Sequence, residues 1–130
     1  MVRILVCEHD FLDRSAMLRV LSAFGECDAA TSAEECLAAF AAALRGDHPY
    51  DLVTLDPRLI TTDGKILVEC LRLLEADRDV LTRSRVLMTR SHPHGLADLG
   101  ALEALYDGRI HKPADFGEVQ KRLRAMGLSS

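Results

Sequence analysis

The sequence predicts an α/β fold in which one parallel β-sheet is covered on both faces by helices. Short apolar segments alternate along the chain with longer segments whose apolar residues recur at helical spacing. The short segments are apolar throughout, which is typical of strands buried on both faces of a parallel sheet. The chain has 130 residues, 48% hydrophobic and 28% charged, without internal repeats or linkers. We therefore interpret residues 1–130 as a single globular domain.

The first predicted strand, Ile4–Cys7, is short and apolar and stops at a polar cluster, residues 8–10. A helix follows, and Gly25 stands where this helix would end. A second, weaker strand is expected over Cys27–Ala30. The apolar stripe of the first helix consists of Met17, Val20, Leu21 and Phe24.

The second helix has the clearest sequence signals. Ser32 and Glu35 have the spacing of a capping box at its start, and Gly46 follows its last turn. Its apolar residues are Leu37, Phe40, Ala41 and Leu44. A third strand, Asp51–Asp56, is again apolar and ends on an acid. It leads into residues 57–64, which proline, threonine and an Asp-Gly pair indicate as a loop.

The second half of the chain repeats this pattern of strands and helices. Arg85–Thr89 and Arg109–His111 are the predicted fourth and fifth strands, and a helix over Leu96–Leu105 separates them. Helical stripes precede and follow these strands. The earlier stripe is Leu67, Cys70, Leu71 and Leu74, and the last is Phe116, Val119, Leu123 and Met126, with Gly127 near its end.

Charge and composition exclude several classes of protein. The net charge of −4 gives no broad attraction to nucleic acid, and the basic residues near the C-terminus are interpreted as a solvated helix face. No apolar run is long enough to cross a membrane, and the N-terminus lacks a signal peptide, so a cytoplasmic location is expected. The four cysteines have no CxxC spacing and lie in apolar segments, which predicts buried, reduced thiols; a disulfide is the alternative.

Polar residues follow the predicted strands where the strands end, and such ends meet at one edge of a parallel sheet. A carboxylate at that edge, such as Asp56, can act as a nucleophile toward phosphorus when cations screen the neighbouring acids. Lys112 would pair with an oxygen of the transferred group, and the acids after the first strand would bind Mg²⁺. The alternative is that Asp56 only caps a turn and Lys112 only faces solvent. The residues expected to converge are Glu8, His9, Asp10, Asp56, residues 90–94 and Lys112.

These residues together resemble the receiver domains of two-component response regulators, the CheY-like proteins, over about residues 2–127. Residues 4–10 resemble the family's first strand and acid cluster. Asp56 lies eight residues before Gly64, as the family's phosphoacceptor lies before an Asp-Gly pair. Residues 101–104 resemble part of the usual fourth helix, and Lys112-Pro113 is similar to the pair after the fifth strand.

The resemblance implies a flavodoxin-like, doubly wound sheet of five parallel strands in the order 2-1-3-4-5, with five helices. It implies that Asp56 is the phosphoacceptor and that Lys112 and a hydroxyl at the end of the fourth strand assist it. It also implies Mg²⁺ bound by Glu8, Asp56 and the backbone carbonyl of Arg58. The remaining metal ligand would be His9 or Asp10.

Several positions depart from the family's pattern. His9 stands where a second acid is usual, which predicts weak or pH-sensitive magnesium binding, since imidazole suits other metals better. The position of the usual hydroxyl is occupied by Arg90, with Thr89 beside it, and strand register decides which of the two faces the site. Arg109 replaces the usual aromatic switch residue, and Ile60 replaces a loop proline.

The resemblance implies a phosphoacceptor protein rather than an enzyme, with at most self-catalysed phosphotransfer and dephosphorylation. Its phosphodonor would be a histidine kinase or a phosphotransfer protein, and its effect would pass through contact with a downstream protein. The predicted helix Leu96–Leu105, the fifth strand and the last helix form the expected contact face, which could also support a homodimer. The alternative is that this chain is one part of a longer regulator.

Two other functions are compatible with these residues. The first is a pseudo-receiver that keeps the fold as an interaction module without phosphotransfer, which His9, Arg90 and Arg109 would favour. The second is a flavin or metal protein on the same fold. No phosphate-cradling loop supports a flavin, whereas a transition-metal site is geometrically conceivable. The histidines expected at the relevant edge are His9, His92, His94 and His111.

Overall fold

The computed structural model describes residues 2–90 and 100–129 and contains one sheet of five parallel strands. The strands pair in the order β2-β1-β3-β4-β5, which confirms the predicted fold class and strand order. Each strand agrees with its prediction to within a few residues at its ends. The strands are β1 (Val2–Cys7), β2 (Gly25–Ala30), β3 (Leu52–Leu55), β4 (Arg85–Arg90) and β5 (Gly108–His111).

Four α-helices and one 3₁₀ helix lie within the described residues. The 3₁₀ helix, Gly100–Leu105, coincides with the second part of the helix predicted over residues 96–105. Residues 96–99 lie outside the described residues, as do His92 and His94. Five α-helices were predicted, and the described part of the chain has four. The α-helices are α1 (Phe11–Leu21), α2 (Ala33–Arg45), α3 (Leu67–Arg78) and α4 (Phe116–Ala125).

The sheet has a separate hydrophobic core on each face. Strand side chains alternate between faces, so neighbouring apolar residues enter opposite cores. On one face, residues of β1, β3 and β4 pack against α2 and α3, with Phe40 and Leu71 among the buried side chains. On the other, the sheet packs against α1 and α4 through Met17 and Leu123. Because helices cover both faces, a ligand site is expected at the ends of the strands.

Three of the four α-helices in the described part of the chain begin after a capping residue with an oxygen side chain; α3 follows Ile66 and has no side-chain cap. Ser32 precedes α2, and its hydroxyl accepts a hydrogen bond from Glu35 N at 3.1 Å. The Glu35 carboxylate in turn accepts a hydrogen bond from Thr31 N at 2.7 Å. This confirms the predicted capping box, except that the donor is the residue before Ser32 and not Ser32 itself. Asp10 and Asp115 cap α1 and α4 in the same way.

Gly25 does not terminate α1 as the sequence predicted. The helix ends at Leu21, and Gly25 is the first residue of β2, paired with Val2 of β1. A Cβ atom at this position would lie 2.0 Å from the Val2 carbonyl oxygen. The glycine is therefore required because two backbones approach closely, and it is not required as a helix stop.

We expect Gly25→Ala to destabilise the fold by about 1–3 kcal/mol, because the clash is with backbone atoms and the β1–β2 pairing must shift. Urea unfolding of the variant and the parent chain measures this difference. Gly46→Ala is the matched control, since its added Cβ would meet its nearest neighbour at 3.4 Å. Equal stability of the Gly25 variant and the parent would contradict this close backbone packing.

Candidate functional site

Four polar side chains continue one face of the sheet to its carboxyl edge. They come from the ends of β1, β3, β4 and β5, one from each strand. Side chains two residues apart on a strand point to the same face, and in each strand the residue two positions earlier points to the α1/α4 face. All four side chains therefore lie on that face. All four are almost fully buried, with residue exposures of 9% or less. These side chains are Glu8, Asp56, Thr89 and Lys112.

Thr89, rather than Arg90, lies in this group. Its hydroxyl donates a hydrogen bond to Glu8 Oε1 at 2.5 Å, across the sheet from β4 to the end of β1. Arg90 follows it on β4, so its side chain belongs to the opposite face, where Val86 enters the other core. Its carbonyl oxygen accepts from Lys112 N at 2.6 Å. Arg90 thus contributes backbone support to the site, which corrects its proposed role as a side chain in the site.

Lys112 connects the acids of the site. Its Nζ lies 3.0 Å from Glu8 Oε2 and 3.3 Å from Asp56 Oδ2, and only 3% of its side chain is exposed. Burial lowers the pKa of Lys112, but hydrogen bonding to Glu8 and the charges of Glu8 and Asp56 outweigh this, and the net pKa is raised. Lys112 is therefore a buried ammonium shared among carboxylates, and it does not face solvent.

Asp13 is a third acid on Lys112 that the sequence analysis missed. Its Oδ2 lies 3.2 Å from Nζ, and its side chain is one-third exposed at the edge of the site. It stands in the first turn of α1, three residues after the capping Asp10. One sequence signal could have identified it: Asp13 is an acid in the first turn of the helix that starts at the sheet's carboxyl edge. The apolar stripe of that helix does not show which residues face the site.

Asp56 is held by Arg58 as well as by Lys112. The guanidinium donates from Nη2 to Oδ2 at 2.8 Å and from Nε to Oδ1 at 3.1 Å, and Arg58 N donates to Oδ1 at 2.9 Å. Burial raises the pKa of Asp56, but these hydrogen bonds and the charge of Lys112 outweigh burial and lower it overall. Asp56 is thus an ionised carboxylate that also closes its own turn.

Glu8 has the opposite balance. It is fully buried, and burial raises its pKa more than the hydrogen bonds from Thr89 and Lys112 and the lysine's charge lower it. The nearby charge of Asp56 raises it further. Two acids on one lysine therefore have pKa values shifted in opposite directions.

The donors expected for magnesium are not gathered in this arrangement. His9 is exposed, and its Nδ1 lies 3.3 Å from the Thr31 carbonyl oxygen. Asp10 is engaged as the cap of α1. The oxygens of Glu8 and Asp56 already have Thr89, Lys112 and the Arg58 side chain as partners. Within residues 2–90 and 100–129, no three or more His, Cys, Asp or Glu side chains are grouped so as to hold a metal ion, so the predicted ligands do not form a side-chain magnesium site as placed.

The other sequence candidates have partners of their own. His111 Nδ1 lies 2.8 Å from Glu118 Oε2 of α4, so His9 and His111 do not share a site. Arg109 forms an ion pair with Glu103 of the 3₁₀ helix. Ile60 is 56% exposed in the loop after β3. No bond joins any of the four cysteines in the structure; Cys7 and Cys36 are buried, as predicted, whereas Cys27 and Cys70 are partly exposed.

An open cleft gives access to Asp56. Its volume is about 570 Å³, and it leads from the solvent to the carboxylate between the start of α1 and the loop after β3. A group the size of a phosphoryl group can therefore reach Asp56 from outside. The residues lining the cleft are His9, Asp10, Asp13, Asp56, Arg58 and Leu59.

The chain is similar to known proteins in its structure and not in its sequence. No protein-family model and no curated protein sequence matches the chain. A CheY-like receiver domain from Methylobacillus flagellatus superposes with a TM-score of 0.73 and 19% identity, covering 97% of this chain and 98% of that one. A two-component response regulator from Clostridium difficile gives 0.68 and 22%, with coverages of 97% and 98%.

The response regulator TrrA from Thermotoga maritima, solved in complex with Mg²⁺-BeF, gives a TM-score of 0.68 and 24% identity, covering 97% of this chain and 99% of TrrA. The chain therefore has the fold of CheY-like response regulator receiver domains, in agreement with the resemblance seen in the sequence.

In the part of the chain that the structure describes, no helix is long and apolar enough to span a membrane.

Proposed function

We propose that this chain is a receiver in two-component signalling whose Asp56 accepts a phosphoryl group. The observation that carries the proposal is the placement of Asp56: an ionised carboxylate 3.3 Å from a buried ammonium, at the end of an open cleft. Receiver domains as neighbours in fold support the same class of function. The donor would be a histidine kinase or a phosphotransfer protein, in keeping with the receiver fold.

The chemistry follows from the charges around Asp56. A carboxylate oxygen attacks the phosphorus of a phosphohistidine, the new P–O bond forms as the P–N bond breaks, and the electron pair leaves with the imidazole nitrogen, which takes up a proton. Lys112 neutralises charge that develops on the phosphoryl oxygens. Thr89 follows Met88, which pairs with Leu55, so it lies beside Asp56 at the sheet edge, and its hydroxyl, now bound to Glu8, would turn toward the new group.

After the transfer, the phosphorylated chain would signal by contact with a downstream protein in the cytoplasm. It would act as a phosphoacceptor, at most catalysing its own phosphorylation and dephosphorylation. Magnesium would assist only if the acids of the site were rearranged, since the described residues do not gather a ligand set. A homodimer would use the 3₁₀ helix, β5 and α4.

Incubation with a small phosphodonor followed by intact-mass spectrometry tests the proposal. We expect the parent chain to gain one phosphoryl group, labile to hydroxylamine as an acyl phosphate is, and Asp56→Asn to gain none. Asp63→Asn is the matched control, because Asp63 is an exposed acid in the following loop and should leave the gain unchanged. Parallel reactions with magnesium and with a chelator measure the metal requirement.

A specific observation favours a second function, that of a pseudo-receiver. Arg58 already neutralises both oxygens of Asp56, and the metal ligand set is not assembled among the described residues. Equal masses of the parent chain and Asp56→Asn after every phosphodonor treatment, apart from the substitution itself, would support this second function and contradict the first.

A further inference from the structure

Two cysteines meet beneath the site, on the α2/α3 face of the sheet. Cys7 is the last residue of β1, and Cys36 lies in the first turns of α2. Their Sγ atoms are 2.6 Å apart, and both residues are fully buried. Even carbon atoms, which are smaller than sulfur, prefer separations of about 3.5–4.0 Å when they are not bonded. Only about 0.6 Å separates this distance from an S–S bond of roughly 2.05 Å.

The two sulfurs are held in this position by the fold. Cys7 pairs with Ala30 on one side and Leu55 on the other, at the carboxyl end of an interior strand of the sheet. Cys36 N donates to the Ser32 carbonyl at 3.0 Å, within the capped start of α2. Both side chains belong to the core that α2 and α3 form on the sheet. Bond formation therefore requires the two sulfurs to approach by about a further 0.6 Å between elements that the fold already packs together.

We propose that Cys7 and Cys36 form a redox-sensitive dithiol, which a diffusible peroxide converts into an intramolecular disulfide. One thiolate attacks the peroxide oxygen, the O–O bond breaks, and a sulfenic acid and water (or an alcohol) result. The second thiol attacks the sulfenic sulfur, so that the S–S bond forms as the S–O bond breaks and a further water leaves. Two thiols lose two protons and two electrons, and the peroxide is reduced by both electrons.

The disulfide would act next to the phosphoacceptor. The Cys7 carbonyl accepts a hydrogen bond from Asp56 N at 3.1 Å, and Cys7 directly precedes Glu8 in the chain. A bond to Cys36 would tie this point of β1 to the start of α2. Oxidation would thus fix the backbone on which two acids of the site depend. This inference does not require that Asp56 be phosphorylated.

Burial sets the conditions under which the dithiol reacts. It raises the pKa of the Cys7 thiol, and the contact with Cys36 and the charge of Glu8 raise it further. The reactive thiolate is therefore scarce at neutral pH, and we expect oxidation to accelerate as the pH rises. Both thiols are fully buried, so a peroxide would have to reach the pair during local opening of the fold, which favours a small oxidant.

The test treats the native full chain with hydrogen peroxide, blocks the remaining thiols after denaturation and maps disulfides by mass spectrometry. We expect the chain to become lighter by two hydrogens, about 2 Da, with two blocked thiols, a single Cys7–Cys36 linkage and full reversal by a reductant. Four free thiols throughout, or a linkage that involves Cys27 or Cys70, would overturn the proposal. A linkage that forms only in urea would also overturn it, because it would be a property of the unfolded chain.

Variants separate the pair from the other cysteines. Cys36→Ala should abolish the mass loss, whereas Cys27→Ser and Cys70→Ser, both at partly exposed positions, should retain it. Mapping the parent chain needs no substitution, so the proposal stays testable even if Cys36→Ala is poorly folded. Retention of the mass loss in a folded Cys36→Ala variant would contradict the assignment.

Discussion

Replacing Lys112 with methionine is expected to destabilise the fold by about 3–5 kcal/mol, because the substitution leaves a buried acid without its counter-ion. The ammonium lies 3.0 Å from Glu8, which is fully buried, and 3.3 Å from Asp56. Methionine fills a similar volume, so lost packing contributes little. Urea unfolding at neutral pH measures the difference. Lys65→Met, which removes an exposed lysine paired with Asp63, should have no measurable effect.

The pH dependence of this variant identifies the cause. Burial already raises the pKa of Glu8 above its ordinary 4.5, and loss of Lys112 removes an influence that lowers it. A raised folded-state pKa contributes stability that is fully present below 4.5 and is lost as the pH rises through the folded-state value. The deficit of Lys112→Met should therefore shrink on acidification, and adding Glu8→Gln should recover part of it at neutral pH. A deficit independent of pH would point to packing instead.

Replacing Arg58 with alanine is expected to increase the rate at which a small phosphodonor modifies Asp56 by about tenfold. The guanidinium donates to both oxygens of Asp56, at 2.8 and 3.1 Å, and one oxygen must be released before it can attack phosphorus. Hydrogen bonds to charged groups contribute roughly 1.5–3 kcal/mol. Solvent screening of this 61% exposed side chain reduces that figure. About 1.4 kcal/mol corresponds to a factor of ten.

Arg58→Lys is the matched control, because lysine keeps the charge without the two-point contact and should give an intermediate rate. The initial rate of acyl-phosphate formation, followed by intact mass, is the measurement. A tenfold decrease in Arg58→Ala would contradict this expectation and would show that the guanidinium binds the incoming phosphoryl group. The expectation depends on Asp56 being a phosphoacceptor.

The parts of the site that the sequence predicted are those that depend on strand order. Asp56 and Lys112 were placed at one edge because they end apolar strands, and the structure brings them to 3.3 Å. The choice between Thr89 and Arg90 required the register of β4, which a shift of one residue would reverse. Sequence alone cannot supply that register, since Thr89 and Arg90 are both compatible with a strand position that faces the site.

The roles of Asp13 and Gly25 could not be predicted from the sequence for a second reason. Asp13 reaches Lys112 because α1 starts directly at the sheet edge, so its role depends on how a helix is oriented and not on its periodicity. Gly25 is a plausible helix terminator by local pattern, yet the contact that requires it is with Val2, more than twenty residues earlier. Both assignments rest on tertiary contacts that local sequence signals do not encode.

The shared ammonium also sets the charge balance of the site. Three carboxylates, from Glu8, Asp13 and Asp56, face two cations, Lys112 and Arg58, so the site carries one negative charge when all are ionised. A phosphoryl group on Asp56 would replace one negative charge with about two near neutral pH. The modified site would then lack a further positive charge, and a partner that offers a basic side chain at the mouth of the cleft would bind the phosphorylated form in preference to the resting one.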